Sequence, residues 1–244
     1  MNIENEVKAL ERIITPFIVE YFQKYSLKEL YIWDKFDLDI FPDNERTILS
    51  KLNSFEKNVK IKHLLNKKLL DENRNKELYD WIIKKWGGIR KFKNFNGLEC
   101  FLDCLSKNEY LSMNTIASFS KVASFKYLNK YFIYDAHVSC ALNWILIKNG
   151  DFNIKFFPLK FGENKDISEN YNMKTILTLI NNEIKYYDEK LYYIIYCELL
   201  NSIFKNIKND NIKESFYIEM ILFSISKSRK IINEIMEKIK VSII

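Results

Sequence analysis

Residues 115–147 read TIASFSKVASFKYLNKYFIYDAHVSCALNWILI. Small and apolar side chains recur there at helical spacing on both sides of a short polar link. The pattern predicts a helix over about 118–129, an extended piece over 131–134 and a second helix that begins at Asp135. Lys121 falls on the first turn of the first helix. Two antiparallel helices with so short a link could bring Lys121 and Asp135 to the same end of the pair.

A lysine and an aspartate near two helix N-termini are suited to attack on an electrophilic carbon. The amine is the nucleophile, and the carboxylate helps to ionise it or stabilises positive charge. The attacking amine must be neutral to act as a nucleophile. The residues alone also allow a simpler interpretation, in which Lys121 is a surface lysine and Asp135 an ordinary helix N-cap.

Outside this segment, composition limits the fold. The chain has 244 residues, of which only 5 are Gly and 3 are Pro. Average usage, about 7% Gly and 5% Pro, would give about 29 in a chain of this length. Sandwiches and barrels need Gly and Pro for their many tight turns, and they are therefore disfavoured. Neither of the glycine-rich phosphate-binding motifs G-x-G-x-x-G and G-x-x-x-x-G-K-[ST] occurs.

Helical periodicity continues through most of the remaining chain, so we predict an all-α protein with one domain over residues 1–244. No run approaches the roughly 18 apolar residues of a membrane span, and the N-terminus lacks a signal-peptide pattern. A cytoplasmic protein without membrane contact is expected. The net charge of +6 suits a nucleic-acid partner without proving one. With four scattered cysteines and two histidines, we predict no metal site.

The segments IASFSKVA at 116–123 and IYDAHV at 133–138 resemble the active-site region of helix-hairpin-helix DNA glycosylases, specifically bacterial proteins related to 8-oxoguanine DNA glycosylase. In that superfamily a hairpin of the form L-P-G-V-G precedes the catalytic lysine, and an extended segment leads to an invariant aspartate. Lys121 and Asp135 fall on these two positions. Weaker resemblances are WGGIR at 86–90, Phe157-Pro158 followed by Gly162 and Asn164, and EMILF at 219–223.

The resemblance implies two intertwined helical lobes around a central cleft, with 115–147 as the catalytic segment. The enzyme would flip a modified base out of double-stranded DNA, and Lys121 would attack the sugar C1′ while Asp135 stabilises the developing positive charge. The resulting imine could eliminate the 3′ phosphate, which is lyase activity. No cofactor is implied, and we expect a monomer associated with the nucleoid. The residues expected to bind DNA or the base are Trp86, Arg90, Phe119, Ser120, Tyr134 and His137.

The hairpin departs from the family pattern. Ala117 and Phe119 stand where the superfamily has glycines, and the spacing from Lys121 to Asp135 is shorter than usual. The family glycines let backbone N–H groups approach a DNA phosphate, often with a metal ion. Phosphate binding at this hairpin is therefore expected to be weaker, rearranged or metal-free.

Several alternatives remain open at this point. The excised base is an 8-oxoguanine-type lesion or a bulky hypermodified base of phage DNA, the latter implying host defence. A different class of function is a non-catalytic helical adaptor that binds DNA or protein on a degenerate glycosylase fold. A helical enzyme with another substrate has no motif in its favour. His137 and Arg90 each have a structural or solvated interpretation besides a DNA contact, and most aromatic residues are expected to belong to the core.

Overall fold

The protein is described here from a computed structural model, which covers residues 2–34, 36–70, 75–109, 115–149, 154–160, 173–180, 183–207 and 209–237. The chain within these ranges is mainly helical and forms no strand, which confirms the predicted all-α class. The one extended pairing in these ranges is an isolated parallel bridge between Phe156 and Tyr186. Gly162 and Asn164 of the sequence resemblance lie outside the described residues.

The described residues form twelve α-helices, numbered in chain order, and a π-helical segment at Trp81–Trp86 follows the fifth. The helices are α1 (Ile3–Lys24), α2 (Leu27–Leu30), α3 (Asp43–Ser50), α4 (Ser54–Leu69), α5 (Asn75–Asp80), α6 (Phe95–Ser106), α7 (Ile116–Lys126), α8 (Ala136–Asn149), α9 (Met173–Ile180), α10 (Tyr192–Asn206), α11 (Phe216–Lys227) and α12 (Arg229–Glu237). No helix in the described ranges has the length and apolar character needed to cross a membrane.

The chain divides into two compact units, and the division does not follow chain order. The first unit consists of Met1–Tyr25 and Tyr134–Ile244, and the second is the continuous segment Ser26–Ile133. The boundary cuts the segment 115–147, so Lys121 belongs to the second unit and Asp135 to the first. The predicted arrangement of two intertwined lobes around a cleft stays a prediction.

In the first unit, α8 is the central helix. Every residue of α8 from His137 to Ile147 is buried, and α8 packs against α1, α11 and α12. A helix that is apolar on all faces is stable only when it is surrounded by other elements. Helix α1 also packs along α10. The side chain of Asn143 bonds the backbone of Phe157 twice, at 2.9 Å each, and thereby holds the segment after α8 against that helix.

In the second unit, α7 takes the central position. It packs against α4, α6 and the π-helical segment, and all its residues from Ser118 to Phe125 are buried. The helix ends at Lys126, three residues before the predicted end at Asn129. Asn129 has a φ of 60°, which is left-handed backbone that asparagine tolerates better than most residues. The chain therefore turns at Asn129 instead of continuing the helix.

Candidate active site

Lys121 lies on the buried helix α7, and its side chain is only 5% exposed. The interpretation of Lys121 as a surface lysine is therefore wrong. Lysine is almost never fully buried without a polar partner or a functional role, because burial removes its ammonium from water. The predicted helix is confirmed, but it begins at Ile116, so Lys121 lies in its second turn and not in its first. The adjoining residues Ser120 and Val122 are buried too, so α7 has no solvent face at this level.

The aliphatic part of Lys121 lies against Gly87, directly after the π-helical segment. A Cβ placed on Gly87 would stand 2.7 Å from Cδ of Lys121 and 2.8 Å from the carbonyl oxygens of Ile82 and Ile83. Only a glycine fits there without displacement of its neighbours. The N–H of Gly87 donates to the Ile82 carbonyl at 2.8 Å, five residues back, which is the π-helical pattern. Gly87 is thus the C-cap of the π-helical segment.

Helix α4 turns a polar stripe of three residues, four apart, toward the elements around Lys121. Nζ of Lys62 lies 3.2 Å from the hydroxyl oxygen of Ser124, and that hydroxyl donates to the carbonyl of Lys121 at 2.8 Å. Nδ2 of Asn66 donates to the carbonyls of Phe125 and Lys126, both at 2.9 Å, which satisfies carbonyls at the end of α7. The stripe thus fixes the backbone that carries Lys121.

The third residue of the stripe, Asn58, binds Trp86. Nε1 of Trp86 donates to Oδ1 of Asn58 at 2.7 Å, and Nδ2 of Asn58 donates to the carbonyl of Trp33 at 2.6 Å. Nε1 of Trp33 in turn donates to the carbonyl of Trp86 at 3.0 Å. The Trp86 ring meets Phe125 edge-to-face at 5.0 Å between centroids. Trp86 is therefore a core residue of the second unit that borders the Lys121 environment.

The hairpin residues before Lys121 are also buried. Phe119 is completely buried between Phe92 and Phe101, with ring centroids 6.0 and 5.4 Å away, and Ser120 is completely buried beside it. The backbone N–H groups of Ser118 and Phe119 donate to the carbonyl of Thr115. These donors therefore already have intramolecular acceptors. Phe119 and Ser120 therefore serve in core packing and are not exposed for contact with DNA.

Asp135 stands directly before α8 and caps it. Its Oδ1 accepts the N–H of His137 at 3.0 Å and the N–H of Val138 at 3.2 Å, and its carbonyl accepts the N–H of Ser139. This confirms the predicted N-cap. The positive end of a helix favours a negative charge at this position. Asp135 is partly exposed, whereas Tyr134 before it and His137 two residues after it are buried.

Tyr134 and His137 are both embedded in the first unit. The Tyr134 hydroxyl donates to the carbonyl of Pro158 at 2.7 Å, and burial raises the pKa of that phenol far above its ordinary value. Nδ1 of His137 lies 2.8 Å from the hydroxyl of Ser226, and its ring meets Phe223 edge-to-face. Both observations favour the packed-polar interpretation of these residues over a direct DNA contact.

A second carboxylate lies in the surroundings of Asp135. Burial raises the pKa of Tyr196 far above its ordinary value, and the negative charges of Glu219 and Asp135 raise it further. Glu219 is itself buried on α11. The Tyr196 ring packs against the ring of Tyr134, the residue before Asp135, with 5.3 Å between the centroids. Tyr196 therefore lies near both carboxylates.

Arg90 differs from the other predicted DNA-binding residues because it is exposed. Sequence reasoning did not find Lys62 or Asn58, and it gave Glu219 no role of its own. The signal was present in the α4 spacing, since Asn58, Lys62 and Asn66 share one helix face. A polar stripe on an amphipathic helix is normally assigned to solvent, and only the packing of α7 against α4 reveals that this one faces the interior of the second unit.

No family model, curated protein or solved structure matches the chain. Within the described residues, no group of three or more His, Cys, Asp or Glu side chains is arranged to hold a metal ion.

Proposed function

We propose that the protein is a DNA glycosylase that excises a modified base, with Lys121 as nucleophile and Asp135 as the stabilising carboxylate. The observation that carries the proposal is the placement of Asp135 at the N-terminus of α8, where two backbone N–H groups orient its carboxylate. A fixed negative charge of this kind stabilises an oxocarbenium-like transition state. The proposal also rests on the resemblance of the sequence segments around Lys121 and Asp135 to glycosylase motifs.

The proposed reaction begins with the base extruded from the duplex, at a cost of a few kcal/mol. The neutral Nζ of Lys121 forms a bond to C1′ of the sugar as the C1′–N bond to the base breaks. The departing base takes the bonding electron pair and a proton, and the new ammonium loses a proton. Ring opening then gives a Schiff base between Lys121 and C1′. Loss of a C2′ proton and of the 3′ phosphate would complete a lyase step.

Borohydride trapping tests this proposal directly. Wild-type protein is incubated with duplexes that contain either 8-oxoguanine or one of several bulky modified pyrimidines, and sodium borohydride is added to reduce any Schiff base. We expect a covalent protein–DNA adduct with at least one duplex and none with the unmodified duplex. Mass spectrometry of the adduct should locate the link at Lys121. The duplex that gives the adduct distinguishes a repair substrate from a phage base.

Two substitutions on α7 provide the matched comparison. Lys121→Gln should abolish the adduct, whereas Lys126→Gln, which removes a less buried lysine from the same helix, should retain it. Circular dichroism must show that both variants are folded. Absence of adduct and of base release across the whole panel with folded wild-type protein would contradict the enzymatic proposal.

The burial of Lys121 favours a second candidate, a non-catalytic adaptor that binds DNA or protein. At 5% exposure, Lys121 is a buried residue in this structure. The absent hairpin glycines support the same interpretation. An adaptor would bind its partner with unchanged affinity after Lys121→Gln or Asp135→Asn, and it would release no base. A glycosylase would lose excision in both variants while still binding duplex DNA.

A further inference from the structure

The turn after the π-helical segment carries an unbalanced positive charge. Between Asp80 and Glu99 the chain has five cationic residues and no acidic residue. The first two are near acidic groups, since Lys84 pairs with Asp80 at 2.5 Å and Lys85 lines a groove that also contains Asp80. The other three are exposed and have no ion pair within the described ranges: Arg90, Lys91 and Lys93. We call these three residues, together with Gly88, the basic turn.

Phe92 fixes the basic turn to the rest of the second unit. It is buried between the cations, and its ring meets Phe95 at 5.1 Å and Phe119 at 6.0 Å, edge-to-face in both cases. With Phe92 pointing inward, its neighbours Lys91 and Lys93 are left at the surface. The basic turn is therefore anchored directly on Phe119, at the N-terminal end of α7.

Gly88 gives the basic turn an accessible backbone. Its φ is +71°, which glycine adopts without strain, and nothing lies within 4 Å of the position that a Cβ would occupy. The preceding residue, Gly87, contacts Lys121. The basic turn thus lies beside α7, with Gly87 at Lys121 on one side of it and Phe92 at Phe119 within it. Next to it, the N–H groups of Ser118 and Phe119 are already bonded within the chain.

We propose that the basic turn binds the phosphate backbone of duplex DNA. Closely spaced exposed cations beside an open glycine backbone are the elements that contact phosphates, and such contacts fix position without reading sequence. A protein-binding surface would instead present apolar or aromatic anchors, and the aromatic residue of this turn, Phe92, is buried. The choice of duplex DNA as partner rests on the proposed function. The side-chain cations would replace the backbone donors that the hairpin at 117–119 does not offer.

The test measures binding of an undamaged fluorescent duplex by anisotropy over a series of salt concentrations. The test variant combines Arg90→Gln, Lys91→Gln and Lys93→Gln. The control variant removes the same charge from exposed lysines elsewhere in the second unit, with Lys51→Gln, Lys60→Gln and Lys67→Gln. Loss of three phosphate contacts should reduce the slope of log K against log salt by about 3 and weaken binding at least tenfold at low salt, whereas the control should stay near wild type.

Each outcome decides a separate point. Equal losses in test and control variants would show a net-charge effect and overturn the inference, as would a wild-type protein that binds no duplex or prefers single-stranded RNA of equal length. Retention of the wild-type salt slope by the test variant would overturn it as well. Wild-type binding that depends on the basic turn, without any trapped adduct or released base on modified duplexes, would support the inference and contradict the glycosylase proposal.

Discussion

Gly87 leaves the space that the side chain of Lys121 occupies, and the two residues come from segments 34 positions apart in sequence (121 − 87). The same glycine ends the π-helical segment through its hydrogen bond to Ile82. Gly87 therefore determines both where the π-helical segment ends and where the buried side chain of Lys121 lies.

We predict that Gly87→Ala destabilises the protein and displaces Lys121. The added methyl group meets Cδ of Lys121 and two backbone carbonyls, and overpacking of this kind costs about 1–3 kcal/mol. Urea denaturation measures the loss, and the trapped-adduct yield reports on Lys121. Gly88→Ala is the control for stability alone, since its methyl group meets nothing within 4 Å and only the left-handed backbone opposes it, at about 1 kcal/mol. An equal loss of unfolding free energy in both variants would contradict the steric explanation.

Asn58→Leu should lower the free energy of unfolding by about 2–4 kcal/mol, because the buried N–H of Trp86 and the carbonyl of Trp33 lose their partner. Denaturant unfolding followed by tryptophan fluorescence measures this loss. Asn66→Leu removes two hydrogen bonds from a less buried position of the same stripe and should cost less. A larger loss for Asn66→Leu would show that the Trp86 network contributes little.

Substitutions at Asp135 separate its capping role from its charge. Asparagine caps helices about as well as aspartate, so Asp135→Asn should keep the melting temperature near wild type, whereas Asp135→Ala should cost about 1 kcal/mol. If the charge stabilises a positive transition state, both variants lose base excision. Excision by Asp135→Asn at the wild-type rate would leave Asp135 with a capping role alone. Thermal unfolding and a single-turnover excision assay distinguish the cases.

The protein should lose stability in alkali above about pH 9–10. Burial raises the pKa of the Cys140 thiol and of the Tyr79 phenol to about 12, from ordinary values of 9.0 and 10.0. The folded state therefore retains protons that the unfolded chain releases, and the free energy of unfolding falls as the pH rises through this range. Tyr134 and Tyr196, whose pKa values burial also raises, contribute in the same direction at higher pH.

Absorbance of tyrosinate and far-ultraviolet circular dichroism, followed together in a pH titration, measure this effect. The buried phenols should ionise in one step that coincides with unfolding. Complete ionisation of all tyrosines near pH 10 in a protein that keeps its helical signal would contradict the prediction.

Helix positions were predictable because they follow from local spacing and punctuation. The spacing around Lys121 predicted α7, and the cap at Asp135 predicted the start of α8. Burial of polar residues was not predictable. Lys121 resembles a surface lysine in a single sequence, because a hydrophobicity pattern does not show which other element covers its face.

The sequence by itself determined that the chain is helical, through its periodic apolar residues and its scarcity of Gly and Pro. It also indicated Lys121 and Asp135 as the candidate catalytic residues. Only the tertiary structure decided that Lys62 and Asn58 face inward, that Phe119 is packed between rings, and that Phe92 is buried while the cations beside it stay exposed. The physical reason is that capping and turn preferences act between near neighbours in sequence, whereas burial depends on contacts between distant segments.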